Sequence, residues 1–262
     1  MAKRDTKTDS KQDESIGRER IVCLKKVVGK KFLNRIVQRR NLDRRLSRKC
    51  PAYVMAWFTI AIWFYGNDCY TQVFRWLHRF AKELTPTSSA LTQARAKIGI
   101  PVMADIYRRV VQCLSSPETP DSFYAGRRLV AVDGFVLNLP DSEENRRAFG
   151  RPQNGDSFGA FPQARIVALS EVGSHVFFNF LVKPIRCGEA TLAKHVYRDL
   201  PGESLLLFDI GFCSYELMQS VIDRKSDFLG RSKMNRRFKK MEVLSDGSYL
   251  SKIYATDYDR TH

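Results

Sequence analysis

Arg128 to Pro140 reads RLVAVDGFVLNLP. Apolar and β-branched residues run almost unbroken from Leu129 to Leu139, the pattern of a strand covered on both faces, and one carboxylate, Asp133, stands in its middle. Burying an ionised acid costs several kcal/mol unless a positive charge compensates it. The segment therefore calls for a cation at Asp133, and for a second acid to share it.

The chain downstream supplies the partners of this strand. ARIVALSEVGSHVFFNFLV, residues 164–182, is apolar and β-branched on both sides of Val-Gly-Ser and predicts a hairpin of strands two and three. EATLAKHVYRDL (189–200) predicts a helix, SLLLFD (204–209) a fully buried fourth strand, SYELMQSVIDR (214–224) a helix capped by its serine, and DFLGRSK (227–233) a fifth strand. The order β-β-β-α-β-α-β is that of a ribonuclease H-like sheet, in which the first strand lies beside the fourth and parallel to it. Asp133 and Asp209 then become neighbours.

Two adjacent acids repel, and one stays protonated unless a cation sits between them. Magnesium suits oxygen ligands and is held by one or two carboxylates together with substrate phosphates. A pair of such ions roughly 4 Å apart serves an in-line displacement at phosphorus. The competing readings are a turn aspartate before Gly134 and a capping aspartate at 209. An aspartyl-nucleophile phosphatase is disfavoured, because it wants a second Asp where Phe135 stands.

Upstream the pattern is helical. Residues 1–20 are polar, without apolar period, and are expected to form a disordered basic arm. A helical domain is expected over 21–120, a linker in SSPETPDS (115–122), and the sheet domain over 121–262. Within the helical domain, Phe32 to Lys49 reads as a basic amphipathic helix, with Leu33, Ile36, Val37 and Arg40 on one side and Arg39, Arg44, Arg45 and Arg48 elsewhere around it. YVMAWFTIAIWFY (53–65) is an apolar run of 13 residues where a membrane span needs roughly 20, so it is a core helix. Asn67 or Asp68 is expected to cap the next helix. TSSALTQARAKIG (87–99), capped by Ser88 or Ser89, and PVMADIYRRVVQCL (101–114) follow. Joined by Gly-Ile-Pro, this pair either forms a helix-turn-helix offering Gln93, Arg95 and Lys97 to a DNA groove or simply packs in a bundle.

The net charge is +16, and residues 1–50 hold 17 Lys and Arg against 6 Asp and Glu. A polyanion is the natural partner, since each neutralised phosphate releases counterions; the alternative is a solvated tail. A second basic run, Arg231, Lys233, Arg236, Arg237, Lys239 and Lys240, is suited to phosphate contact. The six cysteines lack CxxC spacing and no secretory signal precedes them, which predicts reduced thiols in a cytoplasm.

LVAVDGFVLNLPDSEENRRAFGRP (129–152), AFPQARIVALSEVGSH (160–175), LLLFDIGFCSYEL (205–217) and FLGRSKMNRRFKKMEVLSDGSYLSKI (228–253) closely resemble the insertion element 4 family of DDE transposases. TSSALTQARAKIG is similar to the family's helical N-terminal domain. The most specific elements are VDG followed by LPD-x-x-EN-x-x-AFG, and D-x-GF-x-SYEL. The resemblance implies an α+β architecture: an all-helical basic N-terminal domain, then a ribonuclease H-like mixed α/β domain, incomplete at its C-terminus.

It further implies two Mg2+ (or Mn2+) ions, with Asp133 and Asp209 as first and second catalytic and metal-holding acids. Its substrate is double-stranded DNA, both element ends and target, with a homodimer on DNA and no membrane. The family's third acid, a Glu, lies on a helix after a β-rich insertion, and the chain stops at His262 within that insertion. Glu216, Glu242 and Asp246 come too early in the order. The expectation is a transposase inactive as this polypeptide, whether fragment, frameshifted copy or natural truncation. The alternative is a non-catalytic DNA-binding relic or inhibitor.

Overall fold

The computed structural model describes residues 19–42, 49–77, 85–155, 157–232 and 238–256. Two compact units divide between Val111 and Gln112.

The first unit is helical. Residues 19–27 (α1) precede α2 (Lys30–Arg39), α3 (Ala52–Phe64), α4 (Tyr70–Leu77) and α5 (Ser88–Val110). α3 is apolar around most of its circumference and is accordingly the central helix, burying Val54, Met55, Ala56, Trp57, Phe58 and Ala61. Phe58 meets Tyr70 and Phe74 of α4 edge-on at 5.4 and 6.0 Å, and the Trp57 indole donates to the Val28 carbonyl at 2.7 Å. None of the described helices is long and apolar enough to cross a membrane.

Three expectations for this unit change. α2 ends at Arg39 instead of running to Lys49, because Asn41 takes a left-handed φ of 53° and the Leu42 amide turns back onto the Val37 carbonyl at 3.1 Å. Arg40 therefore caps the helix and is exposed, off the apolar side. α4 starts after Cys69, whose carbonyl accepts from Gln72 and Val73, and not from an Asn67 or Asp68 cap. α5 is capped by Thr87, whose hydroxyl accepts from the Ala90 amide at 3.2 Å; its two helical halves meet at Gly99, where φ is 72°, as the Gly-Ile-Pro junction predicts, and the second half ends at Val110, short of Leu114.

The second unit is built on one sheet in the order β6-β5-β2-β7-β8, from β2 (Arg127–Asn138), β5 (Gln163–Glu171), β6 (Phe177–Pro184), β7 (Ser204–Phe208) and β8 (Asp227–Gly230), with β1 (Phe123–Tyr124) pairing β2. β2–β5 and β5–β6 are antiparallel, and β2–β7 and β7–β8 are parallel. This is the ribonuclease H-like order. Helices α7 (Glu189–Val196) and α8 (Tyr215–Ile222) cover one face, burying Val130, Val132, Val167, Leu169 and Leu206 beneath Leu192, Val196, Leu217 and Val221. Ser214 caps α8, accepting from the Leu217 amide at 3.3 Å.

Smaller elements escape the periodicity: α6 (Glu143–Phe149), the ribbon β3 (Gln153–Asn154) with β4 (Ser157–Phe158), and the hairpin β9 (Glu242–Val243) with β10 (Tyr249–Leu250). Ser115, at the start of the expected linker, folds into this unit together with Leu114: the amides of both donate to Glu171 at 2.9 Å.

Candidate active site

The parallel ladder of β2 and β7 pairs Arg128 with Ser204 through Ala131 with Leu207. Carried forward in the same register, position 133 falls opposite position 209. Asp133 lies within β2, and Asp209 follows the last residue of β7 with an extended backbone. By alternation both acids share the face of Ala131 and Leu207, away from α7 and α8.

Both acids are exposed, which corrects the expectation that Asp133 is buried. The reason is local: the apolar run of β2 is covered on one face only, and Asp133 stands on the other. Each acid spends Oδ1 nearby, Asp133 on the Gly134 amide at 2.7 Å and Asp209 on the Gly211 amide at 2.9 Å. The second contact caps the 3-10 turn Ile210–Phe212, so Asp209 has the capping role that the sequence left open, at the same position that brings it beside Asp133. Neither Oδ2 has a hydrogen bond among the described residues. Behind Asp209, the Tyr197 phenol is buried without a hydrogen-bond partner among the described residues. Burial first, and the Asp209 charge second, push its pKa well above the usual tyrosine range, which keeps it neutral.

The LPDSEENRRAFG segment is a clip on the end of β2. Asp141 accepts from Arg146 at 3.1 Å and from Arg151 at 2.7 Å, and these bonds, that to Arg151 foremost, lower its pKa. Ser142 caps α6, the Asn145 side-chain Nδ2 donates to the Pro140 carbonyl at 2.9 Å, and Gly150 closes the helix at a φ of 75°. No periodic apolar pattern announces this helix; only its cap and its charges hold it.

Of the remaining candidate residues, Arg39 and Arg40 end α2, and Arg40 pairs with Asp105 of α5 at 2.7 Å. Lys97 is exposed on α5, whereas the Arg95 guanidinium lies 5.6 Å over the Tyr70 ring and packs against α4. Arg44, Arg45, Lys233, Arg236 and Arg237 lie outside the described residues. Glu216 pairs with Lys194, Asp246 accepts from Ser248 within its turn, and Glu242 sits exposed in β9. Among the described residues no group of three His, Cys, Asp or Glu side chains is placed to hold a metal. The fold also gathers residues that sequence reading missed: Arg35 on α2 and Arg108 and Arg109 on α5 join Arg39 and Arg40 around one cleft. The only sequence signal for it is the one-turn spacing of Arg35 and Arg39.

A ribonuclease H-like sheet with two acids register-matched on neighbouring parallel strands, preceded by a basic helical unit, defines the class. Residues 18–108 match the family described as insertion element 4 transposase N-terminal, and residues 124–261 match the transposase DDE domain. The chain belongs to the insertion element 4 family of DDE transposases.

Two Escherichia coli K12 proteins are similar to it. "Putative transposase InsZ" is 29% identical over 66% of this chain and 58% of its own length, and the transposase InsG for insertion sequence element IS4 is 23% identical over 79% and 48%. The chain thus spans about half the length of the curated relatives it matches. A solved piggyBac transposase synaptic complex with hairpin DNA overlaps 82% of this chain and 51% of that one, at 12% identity and a TM-score of 0.43.

Proposed function

We propose that this chain acts on the ends of an insertion sequence, with Asp133 and Asp209 as the first two acids of a site for phosphodiester hydrolysis and strand transfer. The observation that carries the reading is the pairing of two exposed carboxylates, each steadied at Oδ1 by a backbone amide, on one face of adjacent parallel strands. Hard oxygen donors of this kind fit Mg2+ or Mn2+. A bound divalent ion would supply Lewis acidity toward phosphate oxygen and a more acidic water or hydroxyl. The two carboxylates hold the cation and keep its field at the strand ends, while the Gly134 and Gly211 amides fix their orientation. The partners in this reading are double-stranded DNA, at element ends and at target, and a second copy of the chain, since two ends must be joined.

Mn2+ titration, followed by water-proton relaxation, tests the site. Asp133→Asn and Asp209→Asn are each expected to weaken Mn2+ binding at least tenfold and to abolish any cutting of an element-end duplex, with DNA binding retained. Undiminished Mn2+ binding in either variant rejects the assignment. A second reading is favoured by one observation: among the described residues no third ligand joins the pair. In it the chain occupies element ends without cutting and inhibits intact copies. Tight end binding without Mn2+-dependent cleavage selects this reading.

A further inference from the structure

The helical unit holds a cleft of about 710 Å3 between α2 and the half of α5 that follows the Gly99 kink. Among the described residues, five guanidiniums, those of Arg35, Arg39, Arg40, Arg108 and Arg109, line it with one carboxylate, Asp105. We infer that this cleft grips the phosphate backbone of duplex DNA without reading bases. The inference rests on the transposase reading and adds to it a specific site and mode of contact.

Charge is the first argument. Asp105 offsets one of five positive charges, and the field of the other four concentrates anions at the cleft. The carboxylate also orients its partners: Oδ2 accepts from Arg40 Nε at 3.1 Å and Nη2 at 2.7 Å, and Oδ1 lies 3.5 Å from Arg108 Nη1. Arg35, Arg39 and Arg109 have no carboxylate partner among the described residues. All five cations are Arg, whose planar, weakly hydrated fork matches a phosphate through two parallel hydrogen bonds.

Rigidity is the second argument. Leu33, Ile36 and Val37 anchor α2, and Val102 and Ile106 anchor α5, all of them buried. The two arginine sets are thus held across the cleft by core packing. The third argument is chemical. Among the described residues that line it, the cleft presents no Asn or Gln, and the Asp105 pairs engage Arg40 and Arg108. That removes the amide readers of adenine, and Arg35, Arg39 and Arg109, the forks left unpaired among the described residues, are assigned to phosphate, an assignment that equal loss on the random duplex checks.

The test is binding of the full chain to an element-end duplex and to a random duplex across a salt series, followed by fluorescence anisotropy. The combined variant Arg35→Gln, Arg39→Gln, Arg109→Gln is expected to flatten the slope of log K against log salt by about 2.7. At 0.1 M salt it is expected to bind both duplexes about a hundredfold more weakly. The matching Arg→Lys variant should keep the wild-type slope while losing roughly tenfold in affinity. An unchanged thermal midpoint in both variants shows that the fold is intact.

A combined variant with the wild-type slope overturns the inference and leaves the transposase reading standing. So does a loss confined to the element-end duplex, or a loss of poly-glutamate binding without loss of DNA binding. A wild-type chain that binds neither duplex overturns both.

Discussion

Glu171 and Asp133 sit on neighbouring strands of one sheet, and they are opposites. Glu171 pairs with Val130 in register and shares the face under α7 and α8, where it is fully buried. Arg128, the Ser174 hydroxyl and the amides of Leu114 and Ser115 surround it. Burial works to raise its pKa, but hydrogen bonds from Ser174, Ser115 and Leu114 outweigh it and hold the carboxyl down at about 2. Asp133 stands on the other face, exposed. Apolar residues on that face are also exposed, from Phe180 and Val182 at 40% to Leu229 at 63%. One face uses an acid to tie the fold together, and the other leaves two acids accessible for chemistry.

The largest effect is expected at Glu171. Its folded pKa lies below its ordinary value of 4.5, so its contribution to stability is fully present above pH 4.5 and is lost as pH falls toward 2. About two and a half pKa units correspond to about 3 kcal/mol. Native-state hydrogen exchange of β2 and β7 amides should show that loss between pH 5 and roughly pH 2. Glu171→Gln should remove about 3 kcal/mol at pH 7, leave Arg128 without its carboxylate, and flatten the acid dependence. An unaltered acid limb in Glu171→Gln would break the comparison at its stronger end.

Comparable in size is the contrast of two leucines. Leu206 is fully buried on the covered side of β7, and Leu206→Ala should cost about 3 kcal/mol through lost contact and a residual cavity. Leu229→Ala, on the open face of β8, should cost less than about 0.5 kcal/mol. Equal losses would mean that the two faces are equally buried.

The strand order was legible because apolar runs of strand length alternated with capped helical segments, with Asp133 inside one such run and Asp209 at the end of another. Asp133's burial was misread for the same reason: an unbroken apolar run does not say which face is covered. Glu171 looked like the flank of a hairpin. Its burial depends on Leu114 and Ser115 folding back onto it, a contact far outside any sequence window. The helical unit was read well where a continuous apolar run ruled, as in α3, and badly where single residues decided, as where left-handed Asn41 stops α2. The arginine cleft was hidden because α2 and α5 are brought together only by the core beneath them.

The finest test uses adjacent residues that point to opposite faces. A Cβ at Gly134 would come within 3.0 Å of the Glu189 side chain, whose carboxylate also lies 4.0 Å from Arg165. Gly134→Ala should therefore cost about 1 kcal/mol, a strain that shrinks when Glu189→Ala is added, because the flexible end of Glu189 is the obstacle. Asp133→Asn, one residue earlier, meets nothing of the kind. The asparagine oxygen still accepts from the Gly134 amide, no buried partner is stranded, and an exposed site without a special contact shifts stability by less than about 0.5 kcal/mol. Unfolding that is unchanged by Asp133→Asn while Mn2+ binding falls would separate the open face's chemistry from the covered face's stability within a single pair of residues.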